Sequence, residues 1–209
     1  MEVIRSVDTI RNKTRIVFES GWEVWFPVRC TLPFPLEEGT EVDRASFEKT
    51  ILLVQYPSAL DRAVAMLARR PHSEGEISRK LESAHYDREV ISLVLYKLEK
   101  EKLVDDFDFS RQWVESRMRK YGKNRIRQEL RMKNVDAGII DEVLETATET
   151  EQLQHAVDIA RKKLKTFRVS DDQQRALRNT AAALVRRGFS WETARKAIQM
   201  VSGSHSEDI

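Results

Sequence analysis

The spacing of apolar residues changes once along the chain. Up to Phe26 it alternates as strands do. Arg15-Ile16-Val17-Phe18-Glu19 and Trp22-Glu23-Val24-Trp25-Phe26 flank Ser20-Gly21. β-branched and aromatic residues suit a pleated, half-buried surface, and a Ser-Gly between two such runs marks a hairpin. Val3-Ile4 begins a third strand, Thr31 to Pro35 is extended, and Leu36-Glu37-Glu38-Gly39 is a turn. Asp43 then caps a helix through Ala45, Phe47 and Leu52. From Ser58 the period becomes helical. It predicts helices over 58–69, 74–83, 88–101, 107–119, 123–132, 137–147, 150–165, 172–186 and 191–201. Ser73, Asp87, Asp106, Asp136, Asp171 and Ser190 are placed to cap them, their side-chain oxygens accepting from orphan N–H groups.

The helical region repeats. Ile77, Leu81, Tyr86, Ile91 and Leu95 recur 49 residues on as Ile126, Leu130, Val135, Ile140 and Leu144. A further 54 residues on, the register holds Thr180, Leu184, Phe189, Ala194 and Ile198. The turns before each third helix align as Ala84-His85-Tyr86, Lys133-Asn134-Val135 and Arg187-Gly188-Phe189. Their middle residues are types found in the left-handed conformation that ends helices. The fold class is therefore mostly α: three tandem three-helix repeats in an elongated, curved body, behind a small N-terminal β-hairpin element. The divisions expected are a hairpin and short helix over 1–57, repeats over 58–105, 106–149 and 150–203, and a disordered tail over 204–209. All five prolines lie at or before Pro71, so the boundary is set near Pro57 and the remaining 138 residues carry no helix breaker.

Composition narrows the class. Hydrophobic residues make up 41% and charged ones 33%, enough for a core. Cys30 has no partner for a disulfide within the chain. No apolar run reaches the roughly 18–20 residues of a membrane span, and residues 1–10 lack the core of a secretory signal. A soluble cytoplasmic protein is expected. The net charge of +2 hides a strong pattern. Residues 111–133 sum to +7, 134–160 to −7 and 161–196 to +8, while 1–58 and 59–110 each sum to −2. Two basic blocks around an acidic one suggest a polyanionic or acidic partner.

Little points to catalysis. The four histidines are scattered away from metal-ligand spacings, and the phosphate-loop, dinucleotide and nucleophile-turn motifs are absent from the sequence. No metal or cofactor is expected. Asp105-Asp106 can be read as an acid/base or metal pair, or as a helix start with Asp106 as cap and Asp108 on the dipole. The basic blocks are the stronger candidates. In the first, Arg111, Arg117, Lys120, Lys123, Arg127 and Arg131 are candidate contacts, and the last three share one face of a helix opposite Ile126 and Leu130. In the second, Lys162, Lys165, Arg175, Arg178, Arg186 and Arg187 are candidates. Trp113 and Trp191 could stack on bases, although aromatics at helical spacing more often fill a core.

Ala63-x3-Leu67-x-Arg69-Arg70-Pro71-x-Ser73-x2-Glu76-Ile77-x3-Leu81 resembles the opening repeat of the RecX family, bacterial regulators of the recombinase RecA. Leu103-Val104-Asp105-Asp106-x2-Phe109-Ser110 resembles that family's most specific motif, followed by Arg117, Gly122 and Ile126-x3-Leu130. Arg187-Gly188-Phe189 is similar to its last-repeat turn, and Leu36 to Asp43 to an N-terminal extension of some members. The chain departs from the family at Asn134, where a glycine is usual, and at Ser110, where an alanine is usual. The resemblance implies a non-enzymatic modulator, an inhibitor in the simplest form. It would bind the groove of RecA filaments on single-stranded DNA and alter ATP hydrolysis and strand exchange. The implied partners are RecA, single-stranded DNA and, secondarily, duplex DNA, with no membrane and a free monomer. Asp105, Asp106, Phe109, Gly122 and Gly188 would be structural. Two other classes stay open: a helix-turn-helix regulator binding DNA directly, and an enzyme using Asp105 and Asp106.

Overall fold

A computed structural model describes residues 1–30, 32, 36–165 and 173–203. The chain divides into two compact units, 1–105 and 106–209.

The first unit opens with an antiparallel sheet of β1 (Glu2–Ile10), β2 (Lys13–Phe18), β3 (Glu23–Pro27) and β4 (Glu41–Val42), in the order β3-β2-β1-β4. The hairpin predicted at Ser20-Gly21 joins β2 to β3, with Gly21 at φ +84°. Thr14, Ile16 and Phe18 of β2 face inward opposite Phe26 and Val24. Phe18 stacks on Trp22 at 4.5 Å, and Phe47 meets both rings edge-on at 5.4 and 5.7 Å. The sheet is thus closed onto a helix.

That helix differs from the one the sequence predicts. The helix capped by Asp43 and the one expected from 58 are a single α1 (Arg44–Leu67) with Pro57 inside it. The boundary expected at 57/58 falls within this helix. Pro57 is tolerated because it lies on the exposed side. The carbonyl whose hydrogen bond it removes belongs to Leu53, itself 76% exposed, so water can replace the lost donor. Phe47, Ile51, Gln55, Ala59 and Ala63 form one buried stripe through the proline. Gln55 Oε1 accepts from Asp87 N–H at 2.7 Å, tying α1 to the start of α3.

α2 (Glu74–Glu82) and α3 (Arg88–Lys100) complete the unit, capped by Ser73 and Asp87. In the second unit follow α4 (Asp106–Arg117), α5 (Lys123–Met132), α6 (Ala137–Glu145), α7 (Glu149–Leu164), α8 (Gln173–Arg186) and α9 (Trp191–Gly203). Asp136 caps α6, and Ser190 Oγ accepts from Thr193 N–H at 3.0 Å at the start of α9. Asp106 is the first residue of α4 rather than its cap. Thr148 and Glu151 form a reciprocal capping box on α7 that was not among the predicted caps. Asp171, most of 31–35 and the tail over 204–209 lie outside the described residues. Among the described residues, no helix is long and apolar enough to cross a membrane.

The repeat register is the core register. All of its members are buried except Leu95 and Ile198, which are half-buried. The three turns share one hydrogen-bond pattern: Tyr86 N–H donates to Leu81 O, Val135 N–H to Leu130 O and Phe189 N–H to Leu184 O, each at 3.2 Å. His85, Asn134 and Gly188 stand between at φ +63°, +57° and +88°. This is the helix-ending motif in which a left-handed residue satisfies the last carbonyls.

Candidate functional site

The cations of the second unit are unequal once folded. Arg111 pairs with Asp108 at 2.6 Å and Glu115 at 3.5 Å. Glu129 receives Arg117 at 3.3 Å, Arg125 at 3.2 Å and the Trp113 indole N–H at 3.1 Å. Arg127 is held by Asp141 of α6 at 2.7 Å. The first basic block therefore finds carboxylate partners, two of them from another helix: Glu129 of α5 for Arg117 and Asp141 of α6 for Arg127. Lys123 is half-buried, and its N–H donates to Gln152 Oε1 at 3.2 Å. Of the row Lys123, Arg127 and Arg131, only Arg131 is exposed without a carboxylate within ion-pair reach among the described residues. Lys120, in the turn just after α4, is likewise exposed without a carboxylate within ion-pair reach among the described residues.

Trp113 packs on Phe109 at 6.0 Å and joins the α4–α6 core, with Arg117 at 4.7 Å and Lys133 at 4.2 Å from its ring. Its faces are occupied. Trp191 is the reverse case: it is 65% exposed as the first residue of α9.

The second block behaves differently. Lys162, Lys165, Arg175, Arg178, Arg186 and Arg187 are all exposed. Lys163, which belongs to the second basic block, bridges α7 to α8, its Nζ donating to Asn179 O at 3.5 Å. Burial first, then the charges of Arg186 and Arg187, pull its pKa below the ordinary lysine value. Lys163 thus lies within electrostatic reach of Arg186 and Arg187, the exposed cations at the end of α8.

The Arg186–Arg187 pair sits at a junction. Gly122 N–H donates to Arg187 O at 3.0 Å, and Asn124 N–H to Gly188 O at 3.1 Å. A side chain on Gly122 would run into the Gly188–Phe189 backbone, and one on Gly188 into Arg125. The two glycines therefore let the start of α5 and the α8–α9 turn touch directly, which joins the two basic blocks. Phe109 is buried in the core. Asp105 and Asp106 stand at the α4 start, in the place a helix N-terminus favours for carboxylates.

Three family models match in order along the chain. They are the RecX first three-helix domain over 59–98, the second over 105–144 and the third over 149–198. Regulatory protein RecX of Chlorobaculum tepidum is 36% identical over 151 residues, covering 71% of this chain and 91% of that one. The protein of that name from Halorhodospira halophila is 39% identical over 138 residues, covering 66% and 84%. A crystal structure of regulatory protein RecX superposes with a TM-score of 0.63 at 23% identity, covering 93% of this chain and 98% of that one. RecX from Lactobacillus salivarius gives 0.65 at 22%, covering 70% and 96%. At such identities the two structures speak for the fold.

Proposed function

Because the chain belongs to the RecX family of regulatory proteins, we propose that it is a non-enzymatic inhibitor of the RecA recombinase. It binds as a monomer in the groove of the cytoplasmic RecA filament on single-stranded DNA, and it slows ATP hydrolysis and strand exchange by occupying that groove. The observation that carries this reading is the exposed Arg186–Arg187 pair at the α5/α8 junction, where Gly122 N–H donates to Arg187 O at 3.0 Å. Its concentrated positive charge suits acidic protein or DNA phosphate, single-stranded or duplex. Lys120, Arg131, Lys162, Lys165, Arg175 and Arg178 are the other exposed cations assigned to the contact. Arg111, Arg117, Lys123 and Arg127 serve it less directly, through the ion pairs and packing that hold α4 and α5.

The test is to titrate the purified chain into RecA on single-stranded DNA and follow ATP hydrolysis. Hydrolysis should fall at or below one chain per recombinase protomer. Unchanged hydrolysis, strand exchange and filament lifetime would overturn the proposal. Trp191, exposed at the start of α9 behind a tight turn, supports a second reading: a helix-turn-helix regulator that reads duplex DNA directly. A sequence-specific footprint obtained without RecA would favour it.

A further inference from the structure

The N-terminal sheet lies outside the three matched domains. Beside it, a groove of about 450 Å³ opens between the β1–β2 turn, the end of β3, α1 and the turn after α2. Arg11, Lys13, Arg29 and Arg62 line it, together with His85, and no carboxylate does. Among the described residues, none of these four cations has a carboxylate within ion-pair distance. Arg15, two residues from Lys13, is by contrast paired with Glu23.

The groove is built rather than incidental. Arg11 occupies the β1–β2 turn at φ +57°, a conformation that hairpins usually give to glycine or asparagine. Val28 N–H donates to Asn12 O at 3.1 Å and Cys30 N–H to Pro27 O at 2.9 Å, fixing the end of β3 beside that turn. Lys13 Nζ donates to His85 Nε2 at 3.0 Å and lies 4.4 Å from the Trp25 ring centre. An ammonium can donate only to a neutral imidazole. Burial first, then Lys13, accordingly hold His85 below its ordinary pKa. Among the described residues, no carboxylate neutralises the charge of Lys13.

We infer that this groove docks the sugar–phosphate backbone of single-stranded nucleic acid. Three of its cations are arginines, whose planar forks match phosphate oxygens. Arg11 and Arg29 each follow an exposed apolar residue, Ile10 and Val28. Cations interleaved with apolar surface suit a strand in which phosphates alternate with flat bases. An acidic peptide offers the charge without the bases. The site lies in the first unit and needs no recombinase. Because the Arg186–Arg187 surface also suits DNA phosphate, the variants below are measured in an Arg186→Glu, Arg187→Glu background as well as in the parent chain, which separates this site from the function proposed above.

The test uses the full chain and a fluorescein-labelled 20-nucleotide oligothymidylate, read by anisotropy without RecA. Arg11→Glu with Arg29→Glu changes two exposed side chains and should leave the melt unaltered. It should weaken binding about tenfold or more, and lower the slope of log affinity against log salt by about 1.4, roughly 0.7 per lost phosphate contact. Arg62→Gln should weaken binding to a smaller extent. If the glutamate variant does not fold, Arg11→Gln with Arg29→Gln should show the same direction. Wild-type affinity and salt slope in a folded double variant would overturn the proposal. So would unchanged oligothymidylate binding with loss of binding to poly-glutamate alone, which would assign the groove to an acidic protein.

Discussion

Gly122 and Gly188 meet backbone to backbone across the junction of the second and third repeats, with no room for a side chain on either. Gly188 also holds φ +88°. Gly188→Ala should therefore combine backbone strain with overpacking and cost roughly 2–4 kcal/mol. Gly21 has a similar φ of +84°, but a methyl group there would meet nothing within 4 Å, so Gly21→Ala should cost only about 1 kcal/mol. Denaturant unfolding of both variants checks the contrast. Equal losses would show that close approach at Gly188 carries no energy.

Ser110 is fully buried, and its hydroxyl has no hydrogen-bond partner among the described residues. Where the family usually has alanine, this chain leaves a polar group desolvated. Ser110→Ala should stabilise by about 1–2 kcal/mol, read as a rise in melting temperature. A lower melting temperature would mean that the hydroxyl is satisfied in solution.

The box on α7 makes stability depend on pH. Glu151 accepts from Thr148 N–H and from its hydroxyl, each at 3.0 Å. The backbone bond foremost, then the hydroxyl, hold its carboxyl below the ordinary range. The folded state thus favours the ionised form. Its contribution is complete above the ordinary carboxylate pKa and fades as pH falls through the lower folded value. Between neutral pH and about pH 3, melting should fall less for Glu151→Gln than for the parent chain. Thr148→Ala should cost about 0.5–2 kcal/mol at neutral pH.

The unequal cations of the second unit should be unequal in binding. Arg186→Glu with Arg187→Glu should weaken attachment to RecA–DNA filaments about tenfold or more and make it less sensitive to salt than in the parent chain. Arg127→Ala should change attachment little, since Asp141 already holds that guanidinium, and should cost no more than about 1 kcal/mol. Sedimentation with filaments over a salt series, beside a melt of each variant, separates the two. A larger effect at Arg127 would move the contact to α5.

The repeat was readable because it is local. Caps, helix-ending residues and apolar spacing are set within a few positions, and His85, Asn134 and Gly188 show their role in type alone. α1 was not readable. Pro57 reads as a breaker, and the buried stripe passes through Gln55, whose Oε1 accepts from Asp87 N–H 32 residues away. The ion pairs between helices were hidden for a related reason: Arg127 meets Asp141 across a turn, 14 residues on. Trp113 and Trp191 both lie on predicted helices, yet among the described residues only the first finds partners for its ring. The cationic groove was masked by segment charge. Arg11, Lys13 and Arg29 come from a stretch with net −2, and folding alone brings them to Arg62.

The single α1 has a mechanical consequence. Its 24 residues make a rod of about 36 Å at 1.5 Å per residue. One end carries the sheet through Phe47, and the other carries the first repeat through Ala59 and Ala63. The helix runs through Pro57 without a break, and Lys13 of the sheet also reaches His85 in the turn after α2, so a pull on the sheet is delivered to the first repeat along the shaft and across that contact. A chain begun at residue 58 would not shed an appendage. It would saw that shaft in half and leave the first repeat with a frayed stump.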